Sequence, residues 1–167
     1  MVDIFVSHSS ADKDLMGVVR EAFAETGVNG YFAEFKMEGK PVPDKLRDAI
    51  RSSQAVVVFW TRNVNDVPKT RDVVNAEIGE AHMAGKPVYV FREEGTEVPL
   101  MLSYITDYFT FSVTTVGEAV RRLKGFLHSY RKNEDYWRAV GVAVAAVATV
   151  GAIVGLIWML SSAKGKR

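Results

Sequence analysis

Apolar and polar positions alternate along the first 130 residues in a regular way. Ile4-Phe-Val6 is a short apolar run ending at Ser7, and residues 3–7 are predicted as a buried strand. His8 to Asp12 reads as the loop after it. Ser10 is placed to cap a helix from about Asp12 to Thr26, on which Leu15, Met16, Val19 and Phe23 recur at helical spacing. Residues 28–33 predict a second strand. Residues 34–43 are too polar and too rich in Gly and Pro for an element. A helix over residues 44–53 shows Leu46 and Ile50. The run Ala55-Val-Val-Val-Phe-Trp60 has no alternation, which predicts a central parallel strand buried on both faces. Residues 61–69 read as a loop and residues 72–85 as a helix. A fourth strand is expected at 86–91, an irregular acidic stretch with a short turn near Leu100 at 92–106, an edge strand at 108–112 and a final helix at 116–132.

Strands that alternate with helices in this manner imply an α/β fold, a five-stranded parallel sheet flanked by helices. In open sheets of this kind ligands bind beyond the carboxyl ends of the strands. The loops after Ser7, Ala33 and Trp60 therefore line the expected site, and the helix over 72–85 begins close to the same edge.

That helix carries an anomaly. At about 100° per residue, Val73, Val74, Ile78, Ala81 and Ala84 share one face, and Glu77 falls inside it. Asp72, Asn75, Gly79 and His82 lie on the other side. A carboxylate set into an apolar stripe is paired with a cation, solvated by a cleft or partly neutralised. The pattern alone leaves these open, and an ion pair at the stripe's edge is the commonest of them.

The chain beyond residue 138 is of another kind. Ala139 to Leu160 is apolar except for Thr149, and its 22 residues would rise about 33 Å as a helix, enough for a hydrocarbon core of about 30 Å. Trp137 and Trp158 lie near its ends, where interfacial aromatics belong. The expected organisation is a domain over 1–132, a hinge over 133–138, a transmembrane helix over 139–161 and a basic tail over 162–167. Arg121, Arg122, Lys124, Arg131, Lys132 and Arg138 precede the span, against Lys164, Lys166 and Arg167 after it. This excess predicts a single-pass membrane protein whose domain is cytoplasmic.

Charge and composition remove several functions. Residues 1–137 hold 17 basic and 20 acidic side chains, so that part has no footprint for nucleic acid. The chain has no cysteine, which excludes disulfides, thiolate metal sites and a Cys nucleophile. No GxGxxG follows the first strand and no GxxxxGK[ST] occurs. His8, His82 and His128 have no metal-type spacing, and no metal is expected. Ser7-His8-Ser9 is not a hydrolase pair, because neighbours on a strand point in opposite directions. His8 reads as a loop-capping or ligand-contact residue.

Four stretches together resemble the Toll/interleukin-1 receptor (TIR) domain family in its prokaryotic branch. They are Asp3-Ile-Phe-Val-Ser-His-Ser-Ser-Ala-Asp12; Tyr31-Phe-Ala-Glu34 with Gly39-Lys-Pro41 and the helix from Lys45 to Ser53; Val73-Val-Asn-Ala-Glu77-Ile-Gly-Glu-Ala81; and Gly85-Lys-Pro-Val-Tyr-Val90. The third looks like the family motif W-x-x-x-E, with Val73 at the aromatic position. The resemblance implies a flavodoxin-like fold over residues 1–132 and cleavage of the nicotinamide–ribose bond of NAD+, with Glu77 as the catalytic residue. NAD+ would be substrate, and no cofactor is implied. His8, Ser9, Glu34, Lys36 and Asn75 match the family's substrate cleft, Trp60 is a candidate to replace the missing aromatic, and Gly39, Lys40 and Pro41 match the BB loop through which TIR domains assemble. The implied partners are NAD+, other TIR domains including copies of itself, and the bilayer. A non-catalytic TIR scaffold and a nucleoside deoxyribosyltransferase-like N-glycosidase are the alternatives.

Overall fold

The computed structural model describes residues 4–33, 44–97 and 102–132. Five strands form one sheet: β1 Ile4–Ser7, β2 Gly30–Phe32, β3 Ala55–Trp60, β4 Val88–Glu93 and β5 Asp107–Phe111. All pairings are parallel and the order is β2-β1-β3-β4-β5. The helices are α1 Lys13–Thr26, α2 Asp44–Ser52, α3 Arg62–Asn65, α4 Pro68–Met83 and α5 over residues 116–132. Short 3-10 turns occupy Leu102–Tyr104 and Val113–Thr115.

The all-apolar β3 is buried at every position. In a strand, alternate residues face opposite sides. Val56, Val58 and Trp60 therefore face one layer with Phe5, and they share a core with Leu46 and Ile50 of α2 and with Val74, Ile78 and Ala81 of α4. Phe59 faces the other layer. It stacks on Phe91 with ring centroids 5.3 Å apart, and Phe91 meets Phe109 at 5.3 Å, a ladder across β3, β4 and β5. Tyr89 on that face meets Phe126 of α5, and Phe32 meets Phe23 of α1. Full burial, reached by Phe23, Phe59 and Phe91, contributes about 1.5–3 kcal/mol per ring. At the edge, β5 exposes Asp107, Tyr108 and Thr110 and buries Phe111.

The five expected strands and the helices at α1, α2 and α5 are present within one or two residues of their expected positions. Three readings are corrected. First, α4 starts at Pro68, four residues before Asp72. Pro68 occupies the first turn, where its fixed φ suits the helix and its missing N–H costs nothing. The exposed or half-buried Lys69, Thr70 and Arg71 gave this turn no apolar signature. Second, residues 62–65 are a short helix rather than loop. Its first N–H is bonded to Glu93 Oε2 at 2.9 Å. Third, Ser10 does not cap α1. Asp12 stands at the N-cap, and Ser9 Oγ accepts from the Ala11 N–H at 3.2 Å. At the other end of α4, Gly85 adopts φ 67°, a left-handed conformation that only glycine takes at little cost. It turns the chain back into β4.

Among the described residues, no helix is long and apolar enough to cross a membrane. The expected span, hinge and tail lie outside the described residues.

Candidate active site

The sheet order reverses between β1 and β3: β1 leads outward to β2, while β3 leads toward β4 and β5. A crevice opens at the carboxyl ends of strands at such a switch point. Ser7 is the last residue of β1 and pairs in register with Val58. Register partners in a parallel ladder face the same side, so Ser7 points toward the α4 layer with Val58.

Glu77 comes to the same place from α4. The apolar neighbours Val74, Ile78 and Ala81 are buried, and the packing that buries them takes Glu77 with them to 0% exposure. Ser7 Oγ donates to Glu77 Oε2 at 2.5 Å. Among the described residues, Glu77 Oε1 has no hydrogen-bond partner. Burial pushes the Glu77 carboxyl up from 4.5 to about 8, and the Ser7 hydrogen bond works in the opposite direction. The ordering is expected, because loss of hydration disfavours the charged form more than one hydroxyl can restore.

The next carboxylate on the helix shows what Glu77 lacks. Glu80 is also buried, yet it accepts from Arg51 Nε at 2.8 Å and lies 3.5 Å from Arg47 Nε, both on α2. Glu80 is thus the ion-paired carboxylate of the kind commonest in helix stripes. Glu77 has no cation bonded to it among the described residues.

The loops at this edge are tied together. Asp12, in the loop after β1, accepts from Thr61 Oγ1 at 2.7 Å and Asn63 Nδ2 at 2.6 Å, across the switch point. Glu93, at the end of β4, accepts from the Arg62 N–H and pairs with Arg62 Nε at 3.1 Å. Two buried carboxylates therefore fix α3 from either side. Both oxygens of each are engaged, so these groups act as framework.

The other expected site residues divide. His8 is buried beyond β1, its Nδ1 3.3 Å from the Val6 carbonyl oxygen. Ser9 is buried and serves the turn into α1. Trp60 is 1% exposed at the carboxyl end of β3, in the core shared with α4, and its Nε1 has no partner among the described residues. Asn75 is half-buried and its Oδ1 has no partner there either. Two residues from Glu77, Asn75 lies about 200° round the helix and so on another face. Val73, at the motif's aromatic position, is half-buried. Glu34, Lys36, Gly39, Lys40 and Pro41 lie outside the described residues. Ser7 is the residue that sequence reasoning missed. It was visible as the polar end of an apolar strand, but its partner is 70 positions away. Among the described residues, no cluster of three or more His, Asp or Glu is arranged to hold a metal ion.

The fold is shared widely. A flavodoxin-like domain from Synechococcus sp. superposes with a TM-score of 0.57 at 12% identity, over 78% of this chain and 99% of that one. The TIR domain of a Toll-related receptor from Hydra magnipapillata gives 0.55 at 13% identity, over 78% and 99%. A diflavin flavoprotein from Nostoc sp. gives 0.53 at 14%, over 80% and 97%. At these identities the likeness establishes the fold alone. No curated protein matches the chain in sequence. The family itself is decided by the sequence profile of the TIR domain, which matches residues 4–124 and so runs from β1 into α5. With the strand order and this match over most of its length, the chain belongs to the TIR domain family.

Proposed function

We propose that this TIR domain cleaves the nicotinamide–ribose bond of NAD+, with Glu77 as the catalytic carboxylate. The observation that carries the reading is the state of Glu77: fully buried at the switch point, held by one hydroxyl, with one oxygen unpartnered. A structural carboxylate in this fold looks like Glu80, paired to two arginines. Leaving Glu77 without a cation costs stability, and such costs concentrate at functional sites.

The chemistry needs little more than one carboxylate. Nicotinamide leaves a cationic precursor as a neutral base, so no general acid is required. The ribose becomes oxocarbenium-like, as in glycoside cleavage, until water takes nicotinamide's place at the anomeric carbon and gives up its proton to solvent. An anion fixed in a dry site stabilises that charge more strongly than one in water. Burial keeps the empty carboxyl largely protonated at neutral pH. The positive nicotinamide ring of an arriving substrate favours the ionised form of Glu77. Trp60, buried at the carboxyl end of β3, has an Nε1 donor without a partner among the described residues and close to this edge.

In the same reading the domain is held at a membrane by the apolar run Ala139–Leu160, with the domain on the cytoplasmic side, and is switched on by self-assembly through residues 39–41. The test is nicotinamide release by the full chain in liposomes at raised surface density. Wild type should release nicotinamide and Glu77→Ala should not. Equal release by the two would remove Glu77 from the chemistry.

A second reading is a non-catalytic scaffold that recruits other TIR domains. Val73 favours it, because a half-buried aliphatic residue stands where the family motif carries an aromatic. It predicts no NAD+ turnover at any density, with self-association that is lost on changing Lys40 or Pro41.

A further inference from the structure

We infer that Ser7 is the positioning residue of the site: its hydroxyl anchors one oxygen of Glu77 and thereby assigns Oε1 as the oxygen that meets the substrate. This inference rests on the reading of Glu77 as the catalytic carboxylate.

The geometry is specific. Ser7 ends β1 with its backbone in the parallel ladder against Val58, so its Cβ is fixed by the sheet rather than by a loop. It is 0% exposed, and water does not compete for its hydroxyl. At 2.5 Å the hydrogen bond is at the short end of the range for an O–H···O pair. A carboxyl group with one oxygen anchored has lost most freedom about its last side-chain torsion. Its plane is set, and so is the direction of Oε1.

The neighbouring charged groups do not share this task. Asp12 is engaged by Thr61 and Asn63, Glu80 by Arg51 and Arg47, and Glu93 by Arg62. Arg92, on β4 and one strand beyond β3, gives Nη1 to the Thr96 carbonyl oxygen at 3.4 Å. His8, next to Ser7 in sequence, has Nδ1 beside the Val6 carbonyl oxygen. Among the described residues, Ser7 is the one hydrogen-bond partner of the Glu77 side chain.

If Ser7 only filled space, alanine would serve nearly as well. As a positioning residue it has two separable effects: it orients Glu77 and it favours the ionised carboxylate. The experiment compares full-length wild type, Ser7→Ala and Ser7→Thr, the last keeping the hydroxyl. The Glu77 carboxyl is followed by carbon-13 NMR on protein carrying labelled glutamate, its resonance identified by its absence from Glu77→Gln. NAD+ cleavage is measured against pH on the same samples. Ser7→Ala should move the Glu77 titration upward by about one pH unit, the scale of a lost hydrogen bond to a charged group. The rising limb of kcat/KM against pH should move with it, lowering kcat/KM near pH 7 by roughly tenfold. Ser7→Thr should return both toward wild type. A Glu77 resonance that titrates identically in Ser7→Ala and wild type overturns the inference. A titration that moves while wild type releases no nicotinamide at any pH keeps Ser7's hold on Glu77 and removes the proposed reaction instead.

Discussion

The sharpest consequence of the structure is a stability curve that runs the wrong way for a carboxylate. A salt-bridged Glu stabilises a protein as pH rises. Glu77 should do the reverse. Its carboxyl sits near 4.5 in the unfolded chain and is pushed up to about 8 by burial in the folded one. Between those values the folded state holds a proton that the unfolded state has released, so stability falls as pH rises. The contribution is fully present below about 4.5 and lost above about 8. One pH unit of displacement corresponds to about 1.4 kcal/mol, so the change between pH 5 and pH 8.5 comes to about 4 kcal/mol. Against a total of about 5–15 kcal/mol for a domain, this is a large fraction. It corresponds to roughly 15 °C in melting temperature. The control is Glu77→Gln, which cannot ionise. Its amide oxygen keeps the Ser7 bond, while its N–H2 enters the place where Oε1 has no partner. That costs about 1–3 kcal/mol at every pH. The variant should therefore be less stable than wild type at pH 5 and equal or more stable at pH 8.5. The assay is urea unfolding followed by circular dichroism, on both proteins in neutral detergent, across that pH range. Other titrating groups cancel in the difference between the two curves. Curves that stay parallel, or a wild type that gains on the variant with rising pH, would refute the argument and mean that a cation or water reaches Glu77.

The same displacement predicts activity. For the free enzyme, kcat/KM for NAD+ should rise with pH toward about 8, because the ionised carboxylate is the active form. Glu80→Ala should cost no more than about 1 kcal/mol in urea unfolding, because its partners Arg51 and Arg47 are 58% and 38% exposed and return to water. Asp12→Ala leaves the buried Thr61 hydroxyl and the Asn63 amide without their acceptor and should cost about 1–3 kcal/mol, with faster hydrogen exchange over residues 61–65 as the specific sign. Gly30→Ala would place a Cβ 2.7 Å from Phe32 Cε2 and 2.9 Å from Phe23 Cδ1, so both rings must shift. A loss of about 1–3 kcal/mol is expected by thermal unfolding.

The sequence by itself determined the elements. Parallel strands buried on both faces must be apolar throughout, and amphipathic helices must repeat near 3.6 residues, so β3 and the buried face of α4 were legible without coordinates. It also marked Glu77, because one carboxylate among Val74, Ile78 and Ala81 breaks the stripe. It did not give the strand order, which depends on which edges pair. Nor did it show that Glu80 is ion-paired and Glu77 is not. Three residues apart on one helix, both are buried, and only the packing of α2 against α4 brings two arginines to one and none to the other. The start of α4 was hidden because an exposed first turn carries no periodicity. Ser7 was hidden because a hydrogen bond across 70 residues leaves no local trace. What local pattern fixes is decided by the chain's own period. What decides whether a buried carboxylate is framework or reactive group is who stands opposite it, and that is set by register and layer packing alone.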